Sequence, residues 1–436
     1  MERRPRVLLA TATAGGTIAA VRLLAANGYA AHVLSSRWLG AAAWSRHAAK
    51  SYSAPKESQP QQFLKRVLKI GAADPGMILL PTSDETAWIY AENSEQLGKY
   101  FHLYQPPVAC LERLLDKKLF CDAARAAGVP VLPSWDPRNP AELKALAPTL
   151  PYPILIKPRT HVHRKRNDKG AVVQSADELI AEYAQFIARE QHRTAECALL
   201  PEAGRPILQQ FVDVTIQGVH SVSGFIDRTG AHFVTRRSKK ILQRSQPVGV
   251  GICFESLPPA AAVTDAVRRL CRELGYFGIF EVEFIWFDGQ WCVIDFNPRL
   301  FHQIGMDIYS GLPSPLLACL DARGETAKLQ EAVARAQAED AAPPFVFYDS
   351  FTLHAILLAK KLSGLTTLHE IAHWRAWTEK NAKQSVDVVS DLTDRLPSVI
   401  HAISELRLGL MALPKFLKST AKVQEVMSGT LKRRSS

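Results

Sequence analysis

Short apolar runs separated by turn residues dominate the first hundred positions. Arg6-Val7-Leu8-Leu9-Ala10 shows no alternation, which predicts a strand buried on both faces. Thr13-Ala14-Gly15-Gly16-Thr17 reads as a turn. Ile18 to Asn27 then carries helical spacing and stops at Gly28, which suits the left-handed residue after a helix. Ala31-His32-Val33-Leu34-Ser35 and Met77-Ile78-Leu79-Leu80-Pro81 are further strands, and Ser83 or Asp84 is placed to cap a helix. Strand, glycine turn, helix and strand together predict a parallel α/β unit. The Gly15-Gly16 pair lacks the G-x-G-x-x-G spacing, so it reads as a tight turn before it reads as a phosphate site.

A second unit begins near Leu115 and runs through a helix to Gly128-Val129-Pro130-Val131. From Ile154 to Arg299 strands, turns and helices alternate, with Ile207–Val212 and Gly278–Phe284 as strands. Asp288-Gly289 is a strong hairpin turn and predicts that Glu281–Phe287 pairs antiparallel with Gln290–Asp295. Ala336–Pro344, rich in Ala, acids and Pro, reads as a linker. Phe345 to Ser436 reads as mainly helical and ends in a polar tail carrying Lys432-Arg433-Arg434. Solvation explains that tail most simply, and a membrane-surface or partner role is the alternative. His354, His373, Trp374, Arg375 and Trp377 in this region read as helix packing.

Composition narrows the class. The 436 residues suggest two or three domains, and the 47% apolar content excludes general disorder. Lys plus Arg outnumber Asp plus Glu by 53 to 42, a net charge of +11 that suits an anionic ligand. Zinc-finger spacing, an RNP signature and a basic-aromatic stripe are all missing, so no nucleic-acid partner is expected. Seven scattered cysteines without a CxxC pair argue against a disulfide scaffold and a structural zinc, and point to a reducing, cytoplasmic setting. The run at Val7–Ala10 is too short for a signal core, and no stretch approaches the ~18 apolar residues of a spanning helix.

The chemistry concentrates at the hairpin. Glu281 and Glu283 share one strand face, as do Asp295 and Asn297 on the partner. Folding back at Asp288-Gly289 brings both pairs together, with Arg299 just beyond. Converging carboxylates repel unless a cation joins them, and hard oxygen ligands of this kind suit Mg2+, with Mn2+ a substitute. The competing reading is a solvent-facing acidic strand. Against it, Phe280, Val282, Phe284, Ile294 and Phe296 alternate with the acids and predict a packed opposite face. Lys157 ends an apolar strand and Lys117 opens a helix after Asp116; such lysines reach phosphates as point charges.

In combination these elements resemble the ATP-grasp superfamily, in its carboxylate–amine ligase branch (carbamoyl-phosphate-synthase-like and D-aspartate-ligase-like proteins). The resemblance runs in order through Asp116-Lys117 with Gly128-Val129-Pro130, Tyr152–Pro158 with Lys157, Leu208–Val212, the basic strand Arg236–Lys240, Pro247–Gly251, Gly275–Gly278, Glu281–Phe284 and Ile294–Arg299. It implies an α/β unit followed by α+β: an ATP-grasp fold with an N-terminal Rossmann-like pre-ATP-grasp domain over 1–115. The ATP-grasp domain follows over 116–335, in subdomains 116–212 and 213–335, and then a helical C-terminal region with a basic tail over 345–436. By position it implies that Lys117 and Lys157 bind ATP phosphates. Phe211 and Val212 then offer backbone groups to adenine beside Gln209 and Gln210. Glu283, Asp295 and Asn297 hold magnesium with Glu281 in reserve, and Arg299 holds the transferring phosphoryl group or the substrate carboxylate.

Three places depart from the family pattern. Gln209-Gln210 stands where an acid is common. The loop Arg159–Gly170 has one glycine and five cationic side chains, suited to closing on phosphates with side chains or to recognising an anionic substrate. Leu300-Phe301-His302-Gln303 replaces small residues. The implied activity is ATP-dependent joining of a carboxylate to an amine, on amino acids or peptide-like substrates, through an acyl phosphate. A carboxylate kinase, an acid–thiol ligase and a nucleotide-binding sensor without turnover remain alternatives. His220, His232 and His302 read as structural. A homo-oligomer stays open.

Overall fold

A computed structural model describes residues 4–13, 15–164, 170–189, 202–214, 218–243, 251–339, 344–362, 368–409 and 411. The unbroken apolar runs of the amino-terminal third form a parallel sheet of β1 (Arg6–Leu9), β2 (Ala30–Ser35), β3 (Ala48–Ser53), β4 (Met77–Leu80) and β5 (Phe101–Leu103), in the order β3-β2-β1-β4-β5. Val7, Leu8, Leu9 and all of β4 are buried, as strands covered on both faces require. The chain order reverses between β1 and β4, which opens a crevice at their carboxyl ends. The first helix, Gly15–Ala26, ends at Gly28 with φ +81°. Ser83 caps the helix Asp84–Glu92 in a reciprocal capping box with Thr86.

Gly15 and Gly16 are explained by contact. A Cβ on Gly16 would sit 2.1 Å from the Phe301 carbonyl oxygen, and one on Gly15 would sit 2.4 Å from Val388 Cγ1. The glycines let the helix lie against the segment following Arg299, a constraint from residues nearly 300 positions away.

The second sheet is antiparallel and small: β6 (Ser134–Trp135), β7 (Ile154–Lys157), β8 (Ala171–Val173) and β9 (Ile207–Gln210), in the order β6-β9-β7-β8. Helices Pro140–Leu146 and Ala176–Arg189 cover one face around Ile154, Ile156, Leu179 and Leu208. Strand β9 stops at Gln210, so Phe211 and Val212 lie just beyond it.

The third sheet has seven strands: β10 (Val219–Ile226), β11 (Phe233–Gln243), β12 (Gly251–Leu257), β13 (Gly278–Phe287), β14 (Gln290–Asn297), β15 (Val346–Tyr348) and β16 (Ser385–Asp387). Their order is β14-β13-β10-β11-β12-β15-β16. Asp288 and Gly289 both have positive φ, +48° and +76°, as a tight hairpin turn demands. The register sets Glu281 opposite Asn297 and Glu283 opposite Asp295. On the other face Val222, Phe280, Val282, Phe284 and Phe296 pack with Val267 and Leu270 of the helix Ala261–Leu274.

One expected core residue is elsewhere. The pairing slips between Glu283 and Phe284, so Glu283 faces Asp295 while Phe284 faces Val293. Ile294 is the extra residue of a β-bulge; Val293 takes the core position and Ile294 turns to the opposite side.

The helix Thr326–Ala338 extends through the start of the expected linker. The carboxy-terminal region contributes helices Ser350–Leu362, Leu368–Asn381 and 396–409, and also two strands. Strand β15 pairs antiparallel with β12, and β16 parallel with β15, so this region extends the third sheet. Trp374 and Trp377 pack near Leu242 and Ile252, as helix packing implies. Among the described residues no helix is long and apolar enough to cross a membrane.

Candidate active site

A cleft with a cavity volume of about 210 Å³ lies between the second and third sheets. Apolar Leu132, Leu155, Phe211, Phe254, Ile285 and Ile294 line it together with Lys157, Lys240, Glu283, Asp295, Asn297 and Arg299, so it offers both apolar surface and charge to a ligand.

Lys117 reaches Asp295 from a helix start. Asp116 caps the helix by accepting from the backbone N–H groups of Lys118 (2.8 Å) and Leu119 (3.1 Å), and the Lys117 N–H donates to the Arg159 carbonyl at 2.8 Å. The ammonium pairs with Asp295. Burial works against its charge, but Asp295 and nearby Asp84 outweigh that and hold its pKa above the ordinary lysine value. Lys157, at the end of β7, donates from Nζ to the Ile294 carbonyl at 3.2 Å, next to the bulge where Ile294 drops out of the strand register. Burial and the neighbouring Lys117 charge pull its pKa down to about 8.

Lys240 on β11 faces the same cleft and pairs with Glu283 at 2.6 Å. Burial opposes its charge, yet Glu283 and Glu281 raise its pKa. Sequence reasoning quoted Lys240 within a basic strand but assigned it no role. Its signal was phase: on β11 the buried positions recur at Arg236, Ser238, Lys240 and Leu242, so Lys240 points inward. Arg236, on the same face, instead ties down the carbonyls of Ser310 and Ala336.

The three acids and Asn297 divide into two facing pairs of distinct use. Glu283 and Asp295 oppose each other, each neutralised by a lysine. Glu281 is buried and accepts from Ser221 Oγ (2.8 Å), Asn297 Nδ2 (2.8 Å) and Gln303 Nε2. Burial, then Glu283, push its pKa up to about 7. Asn297 Oδ1 accepts from Arg299 Nη2 at 2.8 Å, and Arg299 Nε donates to Asp84 Oδ1 at 2.8 Å. A hydrogen-bonded chain thus runs Glu281–Asn297–Arg299–Asp84 and ends beside β4 of the first sheet.

Among the described residues no three His, Cys, Asp or Glu side chains converge as a metal cluster. Lysines hold the two opposed carboxylates, and hydrogen bonds hold the other two ligand candidates. Glu283 and Asp295 alone still fit magnesium, which takes one or two carboxylates and completes its shell with phosphate oxygens and water.

Gln209, another cleft residue, donates from Nε2 to Ser134 Oγ at 3.3 Å. Gln210 Nε2 donates to the carbonyls of Pro153 (3.2 Å) and Phe211 (3.3 Å). The Phe211 N–H, expected to face adenine, donates to the Pro153 carbonyl at 3.2 Å. Phe211 and Val212 both line the cleft, and the Phe211 carbonyl accepts from Gln210.

The cationic loop is also partly reassigned. Arg159 is buried and binds Asp116, Asp136 and the Arg205 carbonyl, so it fastens the Lys117 helix to the second sheet instead of reaching for phosphate. His163 is buried against Glu85, its N–H donating to Oε1 at 2.9 Å. Lys165, Arg166 and Lys169 lie outside the described residues, as do Pro247, Val248, Gly249 and Val250 of the quoted glycine loop.

No family model matches the chain. It is 22% identical over 193 residues to the carbamoyl phosphate synthase arginine-specific large chain of Halalkalibacterium halodurans; the match takes 43% of this chain and spans 17% of the relative's length. Among solved structures, the biotin carboxylase domain of Hydrogenobacter thermophilus 2-oxoglutarate carboxylase, in complex with MgADP, ADP and bicarbonate, has a TM-score of 0.58 and 16% identity. That likeness covers 74% of this chain and 70% of the other. The L-amino acid ligase of Bacillus licheniformis has a TM-score of 0.54 and 14% identity, covering 74% of this chain and 75% of that one. These neighbours have the ATP-grasp fold, and this chain shares it.

Proposed function

We propose that this ATP-grasp chain is an ATP- and Mg2+-dependent ligase. It activates a carboxylate as an acyl phosphate and joins it to an amine, with amino acids or peptide-like molecules as the substrate class. The observation that carries this reading is the gathering of Lys117, Lys157 and, from β11 of the same sheet as the acids, Lys240 around the facing carboxylates Glu283 and Asp295, beside the apolar cleft residues Leu155, Phe211 and Ile294. The six described cysteines are buried, unbridged thiols, which fits a reducing compartment such as the cytoplasm.

The residues divide the work. Leu155, Phe211 and Ile294 enclose the base, with the Gln209 and Gln210 side chains at its edge. Lys117 and Lys157 hold phosphate oxygens, and Lys240 neutralises charge at the substrate end. Glu283 and Asp295 would hold Mg2+, which would supply neutralisation of phosphate charge. Arg299, oriented by Asn297 and Asp84, aligns the substrate carboxylate or the transferring phosphoryl group. A carboxylate oxygen attacks the γ-phosphorus and ADP departs. The amine then attacks the acyl carbonyl, inorganic phosphate departs, and the nitrogen loses a proton. No protein nucleophile takes part; alignment and electrostatics do the work.

The test supplies ATP, Mg2+ and a pool of carboxylates with hydroxylamine. Hydroxamate with ADP is expected. AMP with pyrophosphate would instead mean adenylation, and tight nucleotide binding without turnover across a broad pool would mean a sensor.

A further inference from the structure

The last described helix, 396–409, has two apolar faces and uses one of them. Ile400 is buried, and His401 Nε2 pairs with Asp349 Oδ2 at 2.8 Å, which holds the helix against the start of Ser350–Leu362. The second face is a stripe. Leu396, Val399, Ile403 and Leu406 recur at i, i+3, i+7 and i+10, so they share one side of the helix. They are 56%, 53%, 42% and 56% exposed, and Leu392 and Met411 extend the patch at 83% and 67%. Single exposed leucines need no explanation, but a continuous stripe marks a binding surface.

Charge selects what covers it. Beyond the helix the sequence carries Lys415, Lys418, Lys422, Lys432, Arg433 and Arg434 against the lone acid Glu425. Arg395 and Arg407 flank the stripe itself. A second copy of this chain would carry the same surplus of cations, which opposes association through this segment. A membrane rich in anionic lipid attracts them and accepts the leucines at the boundary between headgroups and acyl chains. We infer that the Leu396–Val399–Ile403–Leu406 face docks on an anionic lipid surface, lying in its plane. This inference does not depend on the ligase reading.

Flotation of the full chain with vesicles tests it, using phosphatidylcholine alone or with about 30% phosphatidylserine. Binding to the anionic vesicles is expected, weakening steeply between about 0.1 M and 0.5 M salt. Val399→Glu with Ile403→Glu should weaken it roughly tenfold or more while leaving the thermal midpoint unchanged, since both positions face solvent. If that variant fails to fold, Val399→Ser with Ile403→Ser takes its place and should weaken binding in the same direction. Equal affinity for both vesicle types overturns the inference. So does vesicle binding indifferent to the stripe substitutions, which would assign the attraction to the tail alone. A concentration-dependent dimer that the substitutions dissolve, with no vesicle binding, would make a second copy the occupant and also overturn it.

Discussion

Asp295→Asn separates the two jobs assigned to the Lys117–Asp295 pair. Without nucleotide, Asp295 neutralises the buried Lys117 ammonium, so an incoming phosphate must displace a carboxylate. Asparagine keeps the shape and can still accept the Phe296 N–H bond that Asp295 Oδ1 accepts at 3.0 Å. Two unit charges about 4 Å apart interact by about 4 kcal/mol at an effective dielectric of ~20. Most of that gross attraction is offset by desolvation of the pair, and nearby Asp84 keeps the ammonium charged. A net gain of about 1.4 kcal/mol remains, or roughly tenfold tighter binding of ADP or ATP in the presence of a chelator. With Mg2+ the same substitution removes one of two facing ligands, and turnover should fall by about a thousandfold or more. Calorimetric titration of nucleotide with and without Mg2+ reads the first effect, and hydroxamate formation reads the second. Lys117→Met should weaken nucleotide binding in both conditions, and the double variant should bind no tighter than Lys117→Met alone. A folded Asp295→Asn protein that binds metal-free nucleotide no better than the parent, or turns over within tenfold of it, refutes the reasoning.

Other outcomes follow from the same geometry. Because Lys157 titrates at about 8, well below the ordinary lysine value, raising pH from 7 to 9 strips its proton and should raise the KM for ATP about tenfold; Lys157→Arg, which stays charged, should flatten that profile. A KM for ATP that is flat from pH 7 to 9 in the parent protein would show that Lys157 does not hold phosphate. Glu281→Gln can keep its amide oxygen toward Ser221 and Gln303 but then sets an amide donor against the Asn297 Nδ2 donor, so kcat should drop by about ten- to a hundredfold with nucleotide affinity little changed. Equal loss of both would mean that Glu281 is itself a metal ligand. Gly16→Ala pushes a methyl into the Phe301 carbonyl and should destabilise the fold by about 2 kcal/mol in urea titrations; a change under about 0.5 kcal/mol would contradict the close packing.

The hairpin shows what a sequence reveals well. Asp288-Gly289 specifies its own turn through positive φ, and period-two alternation then sets Glu281 and Glu283 against Asn297 and Asp295. Alternation breaks down at Ile294, because the bulge inserts a residue without leaving a mark in composition. Long-range contacts were equally hidden. Gly15 and Gly16 answer to Val388 and Phe301, and the Val346–Tyr348 strand exists because β12 offers it an edge. Arg159 looked like a loop cation because its partners Asp116 and Asp136 precede it by tens of residues. The order of the ATP-grasp elements was legible because each carries a local pattern. Which lysine neutralises which acid is decided by long-range placement: Lys240 meets Glu283 across the third sheet, and the helix start at Lys117 is brought to Asp295.

Oxygen tracing tests the central claim most directly. A pool of carboxylates labelled with 18O is incubated with the protein, ATP, Mg2+ and an amine, and the released inorganic phosphate is examined by mass spectrometry. Attack of the acid on the γ-phosphorus predicts one labelled oxygen in that phosphate for each amide formed. Unlabelled phosphate accompanying product, or label recovered in AMP, would contradict it.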